Sequence, residues 1–313
     1  MGEQKTAGKK RETVPTASPA QHPDLLSAEV LRTASELAAR IEAAAILVQG
    51  DCLAGPEVIQ AVSDRVQVVV IEREGKECPL LHAAASHVLR IPAINLTRMG
   101  QIKLSLLASM SRGIFSRGET IVCLSGSALT GMLDTLMVIQ IGEEHEVFMG
   151  FEAQNITRNV KPEVFDKVLE IVLELAYQGR EGKSVGAIFV IGDEKEVAKY
   201  TDQLIINPFR GYHEDERNIL DPRLSEAVKT LATIDGAFIV RGDGTILSAG
   251  TYLRPALAGE ALPQGLGARH AAACSVSAST DAIVITVSES TGTVRMFKDG
   301  RIITEIEKPV RAG

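Results

Sequence analysis

The sequence predicts an α/β protein in two units, a layered domain around a mostly parallel sheet followed by a domain with a mixed sheet. Three observations lead there. Short runs rich in Val and Ile alternate with helical patterns up to about residue 146, the rhythm of strand–helix–strand units. After that, turns at Gly242-Asp243-Gly244 and Asp299-Gly300 each separate two strand-like runs, a signal for antiparallel hairpins. Finally, 313 residues exceed what one average core serves.

Residues 1–22 are polar and rich in Pro, Ser and Thr, with no apolar signal-peptide core, and are expected to remain a disordered tail. Apolar positions from Leu25 to Arg40 recur at helical spacing. AAILVQG then reads as a buried strand, PEVIQAVSDR as a helix and VQVVVIE as a parallel strand. VLRIP, a helix over Met99–Met110, ETIVCLSG and TLMVIQIGEE complete a first domain over 23–148. The second domain, 149–310, opens with the amphipathic helix KPEVFDKVLEIVLELAYQ, stopped by Gly179. The strand GAIFVIGD follows, then a short helix with an extended run in KEVAKYTDQLIINPF, and the helix PRLSEAVKTLATI. AFIV pairs with TILSAG, DAIVITV forms a further strand, and VRMFKDGRIITEI folds as a last hairpin.

Composition excludes several function classes. A net charge of −7 argues against a nucleic-acid partner, because such binding draws mainly on Lys and Arg against phosphates. No apolar run is long enough to span a bilayer, so no membrane partner is expected and the location is read as cytoplasmic. Cys52, Cys78, Cys123 and Cys274 lie far apart without metal-ligand spacing, which fits reduced thiols. GREGKS (179–184) lacks the first glycine of a phosphate-binding loop, where Tyr177 stands, and it follows a helix instead of a strand. It reads as a helix-to-strand connection. The hydroxyl-rich LSGSALTG (124–131) reads as a plain turn, although its chemistry would suit an anionic effector.

Three motifs in the second domain carry chemistry. Asp235-Gly236-Ala237 sits between a helix and a strand, where a carboxylate suits a hard metal and glycine permits close backbone approach. In GLGARHAAAC (265–274), Arg269 offers a fork of donors and His270 stands beside it, at the mouth of an Ala-rich helix. Ser288-Glu289 ends the strand DAIVITV. Taken alone, they read as a helix-stop turn, a solvated helix start and a strand cap before they read as a site.

Their order is more informative. DGAFIV-x-GDGTI-x-SAG-x-YL, GARH-x-AA and VITVSES-x-G, with GREGKSVGAIFVIGD and NPFRGY upstream, resemble the nucleotide-cyclising domain of the diadenylate cyclases over about residues 150–308. AARIEAAAILV and SRGIFSRGETIVCLSGS more loosely resemble the C-terminal domain of pyruvate kinase, a pairing that resembles the soluble archaeal members of the family. The resemblance implies an enzyme that condenses two ATP into the second messenger cyclic di-AMP and two pyrophosphates. It implies Mn²⁺ or Mg²⁺ held by Asp235, and a homodimer or higher homo-oligomer with facing cyclase domains. By position, Asp235, Arg269 and His270 would be catalytic. Gly236, Ala237, Leu253, Gly267, Ala268, Arg269, His270, Ser288 and Glu289 would bind ATP.

The sequence departs from the family pattern at Ala271, where a second arginine is usual, and at Ser290, where some relatives carry an acid. Such a lost charged contact costs roughly 1.5–3 kcal/mol unless Arg254, Arg295 or a backbone N–H replaces it. The alternative is a weak or inactive sensor that binds ATP or cyclic di-AMP. Asp235 argues against that reading and Ala271 for it.

Overall fold

A computed structural model describes residues 22–53, 55–63, 65–127, 131–143, 159–254 and 267–308. The first unit begins with α1 (His22–Arg40), followed by β1 (Ala45–Gln49), α2 (Pro56–Ser63), β2 (Gln67–Arg73), the short α3 (Pro79–His82) and β3 (His87–Ile91). It closes with α4 (Arg98–Ser111), β4 (Thr120–Ser127) and β5 (Met132–Gln140). Its five strands lie in the order β3-β2-β1-β4-β5. All neighbours are parallel except β4 and β5. Alternation along β1 divides the core: Ile46 and Val48 face α1, α2 and α3, while Ala45 and Leu47 face the side of α4.

The second unit contains α5 (Pro162–Gln178), β6 (Ala187–Ile191), α6 (Glu194–Val197), β7 (Thr201–Gln203), α7 (Leu224–Leu231), β8 (Ala237–Val240) and β9 (Ile246–Leu253). It continues with α8 (Ala268–Ser279), β10 (Ile283–Val287), β11 (Val294–Lys298) and β12 (Arg301–Ile306). The sheet order is β12-β11-β10-β6-β8-β9-β7, with β6 and β8 parallel and β10 antiparallel to β6. The mixed sheet and both hairpins expected from the sequence are present, and Asp299 and Gly300 both take positive φ at the last turn. GREGKS connects α5 to β6, with Gly179 at φ 65° capping the helix. The run after Gln203 does not stay in the sheet: Leu204, Ile205 and Ile206 are exposed. The boundary near Met149, the tail before His22 and most of the Ser/Thr-rich turn after Ser127 lie outside the described residues.

One continuous core joins the two units. Leu104 and Leu107 of α4 share it with Val164, Phe165 and Val168 of α5 and with Phe189 of β6. Phe189 stacks on Phe238 of β8 with ring centroids 4.7 Å apart. Polar contacts cross the same seam: Lys103 Nζ donates to the Glu305 carbonyl at 2.9 Å, and Arg112 pairs with Asp166. Phe165 has no exposed surface, so Phe165→Ala is expected to cost about 3–5 kcal/mol. Because the core is shared, chemical denaturation should show one transition at a lower midpoint. Two separate transitions would contradict a single core.

Candidate active site

Strand direction gathers the motifs. Because β6 and β8 run parallel and β10 runs against them, the starts of β6 and β8 and the end of β10 share one edge of the sheet. The residues at that edge are Gly186 before β6, Asp235 before β8, and Ser288 and Glu289 after β10. The α7 helix ends in successive turns through Ile234, which deliver Asp235 and Gly236 into β8. On the far face of the sheet α8 packs against β10 and β11, with Gly267 as its N-cap, and its first turn presents Arg269 and His270.

Arg269 ties the edge together. Its Nη2 donates to Asp235 Oδ1 and its Nη1 to Glu289 Oε2, both at 3.1 Å. The two carboxylates sit two strand positions apart, with β6 between them. Gly186 leaves the room this requires, since a Cβ there would lie 2.6 Å from Arg269 Nη1. The Asp235 side chain is 80% exposed and that of Glu289 59%. Exposed pairs of this kind contribute about 1 kcal/mol or less. The guanidinium is thus positioned by weak contacts for which an anion could compete.

A cavity of about 720 Å³ opens here, lined by Asp235, Gly267, Ala268, Arg269, His270, Ser288 and Glu289, joined by Ser184, Thr291 and Arg295. That is the size of pockets that hold one small molecule. His270 is buried beneath it. Its Nε2 lies 3.1 Å from Arg295 Nη1, and Arg295 Nε donates to Glu305 Oε1 at 2.7 Å. Burial first, then the positive charges of Arg295 and Arg269, hold the His270 pKa below its ordinary value, with Glu305 opposing them. Ser288 Oγ stands 3.3 Å from Ser290 Oγ and receives the Thr291 N–H at 3.4 Å.

Three expected ligand residues do not line this cavity. Ala237 is fully buried and Leu253 is 3% exposed. Both pack in the apolar cluster under α8 with Ala273 and Cys274, because the two-residue alternation of β8 and β9 turns them inward. Any contact they make to a ligand runs through the main chain. Gly236, at φ 112°, serves a backbone contact within the protein: a Cβ there would meet Gly250 at 2.6 Å. Ala271 is exposed in the first turn of α8. Arg254 turns away toward Asp202, at 3.2 Å, and the Lys199 carbonyl, at 2.8 Å. Of the replacements considered for the missing arginine, Arg295 reaches the cavity. Sequence reasoning missed Ser184 and Gly186. The usable signal was a serine and a glycine directly before a buried strand.

Asp235 has the chemistry of a ligand for a divalent cation. Its oxygens are hard donors and solvent-accessible, and Mg²⁺ is commonly held by one or two carboxylates together with substrate phosphates. Among the described residues no cluster of three His, Cys, Asp or Glu forms a cage, so a cation here would depend on the substrate for further ligands.

The family model "DisA bacterial checkpoint controller nucleotide-binding" matches residues 174–302, which contain every residue of this edge. A second, "Probable sensor domain DacZ_P", matches residues 26–149. A diadenylate cyclase of Methanocaldococcus jannaschii is 36% identical over 208 residues, 66% of this chain and 66% of that protein. A diadenylate cyclase of Haloferax volcanii is 34% identical over 207 residues, 66% of this chain and 75% of that protein. The chain belongs to the diadenylate cyclase family. A crystal structure of DacA from Staphylococcus aureus superposes at a TM-score of 0.30 with 24% identity, covering 45% of this chain and 84% of that one. No helix of the described residues is long and apolar enough to cross a membrane.

Two outcomes are expected from this geometry. Gly186→Ala should push Arg269 from its bridge and lower nucleotide turnover about ten- to a hundredfold, with little change in thermal midpoint. The unfolded chain protonates its histidines below about pH 6.5, whereas folding holds His270 neutral to lower pH. Its contribution to stability is therefore full above that pH and declines as the pH falls toward the folded value. Denaturation curves at several pH values should show this slope in the wild type and a shallower one in His270→Gln.

Proposed function

We propose that the chain condenses two ATP into cyclic di-AMP and two pyrophosphates. The observation that carries this reading is the Arg269 fork between Asp235 and Glu289, at the mouth of a cavity sized for one nucleotide. It sits within the segment matched to the nucleotide-binding family.

In this mechanism Arg269 exchanges its exposed carboxylate partners for phosphate oxygens, and the free N–H groups opening α8 add to the anion site. Ser288 and Glu289 border the phosphates. Asp235 orients the ribose 3′-hydroxyl and accepts its proton as the oxygen attacks the α-phosphate of the other ATP. One O3′–P bond forms and the bond to pyrophosphate breaks, twice per product. Positioning and charge neutralisation supply most of the rate of such a transfer. A Mn²⁺ or Mg²⁺ ion held by Asp235 would supply neutralisation of charge on the phosphates.

One cavity holds one ATP, so turnover requires two cyclase domains face to face in a homodimer or larger assembly, an isologous arrangement. The N-terminal unit is read as a sensing layer built like the C-terminal domain of pyruvate kinase. The support is its sequence pattern and its sheet of mostly parallel strands between helices.

Mass spectrometry of the products made from ATP with each divalent metal tests the proposal. Cyclic di-AMP should form, and Asp235→Asn should lower its rate about 10²–10⁴-fold while leaving ATP affinity within about threefold, a shift under 1 kcal/mol. Tight ATP binding without product would favour a nucleotide sensor instead.

A further inference from the structure

We infer that Arg295 is the second cationic anchor of the phosphate site, and that His270 is a positioning residue that aims it. This rests on the nucleotide-binding reading of the cavity, not on turnover.

The first step is the chemistry of the His270–Arg295 contact. A guanidinium carries only donors. At 3.1 Å from Arg295 Nη1, His270 Nε2 must therefore be the accepting lone pair. The imidazole is then neutral, with its proton on Nδ1. A histidine in that state brings no positive charge to a phosphate, and the nitrogen that would act as a base is already engaged.

The second step is what this engagement achieves. Arg295 leaves β11 on the strand beside β12, where Glu305 stands directly across from it. Glu305 takes Nε and His270 takes one Nη1 hydrogen, so two held edges fix the plane of the fork. The side chain is 15% exposed, and it lines the same cavity as Arg269, Ser288 and Glu289. Its Nη2 has no partner among the described residues. A guanidinium held on two sides, on a residue that lines a cavity and with one nitrogen unengaged, is built to receive an anion.

Ala271 brings no charge from the exposed first turn of α8, whereas Arg295 reaches the same cavity from the sheet.

Pyrophosphate binding to the full chain, measured by titration calorimetry, tests the inference without requiring catalysis. Arg295→Gln should weaken pyrophosphate about tenfold or more, while adenosine affinity stays within twofold, a difference of about 0.4 kcal/mol. Arg295→Lys, which keeps the charge and loses the fork, should fall between the two. His270→Gln, whose side-chain oxygen can still accept from Arg295, should bind pyrophosphate better than His270→Leu.

Unchanged pyrophosphate affinity in Arg295→Gln would overturn the inference, and so would equal loss in both His270 variants. Should those variants fail to fold, nitrogen NMR of the wild type decides. A neutral His270 protonated at Nδ1 supports the assignment, and a protonated ring or a proton on Nε2 defeats it. If the pattern holds and the wild type makes no cyclic di-AMP, the cyclase reading fails while the anion site stands.

Discussion

The Arg269 bridge is the interaction on which the organisation of the site depends. One planar fork holds carboxylates from the two sides of β6, and it can do so only because Gly186 presents no side chain beneath it. The strand directions bring Asp235 and Glu289 to the same edge, α8 supplies the arginine, and the glycine leaves the gap. None of these features has a purpose in isolation. The two ion pairs are also too exposed to stabilise the fold much, so the bridge is not a strut of the fold.

Below the bridge lies a layer of different character. His270, Arg295 and Glu305 are more buried than Asp235, Arg269 and Glu289. Their contacts run between three elements, α8, β11 and β12. The upper layer is held by exposed ion pairs, whereas the lower one is pinned by packing. Sites that must grip a flexible polyphosphate benefit from that division, because rigidity at the base lowers the ordering cost of the groups above.

Much of the fold was legible in the sequence because its signals are local. The Val- and Ile-rich runs, the helical spacing of α5 and the two Gly-Asp or Asp-Gly turns each act within a few residues. The ordering of the three motifs was legible too. Their assembly was not, since it follows from β10 lying antiparallel beside β6, a pairing between segments almost a hundred residues apart. Arg295 stood beside Arg254 as a candidate replacement, and the sequence could not choose between them, because only the cross-strand neighbour Glu305 and the overlying helix bring Arg295 to the cavity. Ala237 and Leu253 stand beside the motif in sequence, yet strand alternation turns their side chains into the core and leaves only their main chain for a ligand.

The shared core carries a consequence for any attempt to study the halves apart. Residues of α4 and α5 meet in one apolar cluster, and Lys103 and Arg112 reach across the same seam. A fragment ending between them would present a raw hydrophobic wound in place of that seam. Such a wound finds cover wherever it can, and two identical fragments offer each other the nearest match. Dimers seen with an isolated N-terminal half would therefore report the cut and not the architecture of the intact molecule.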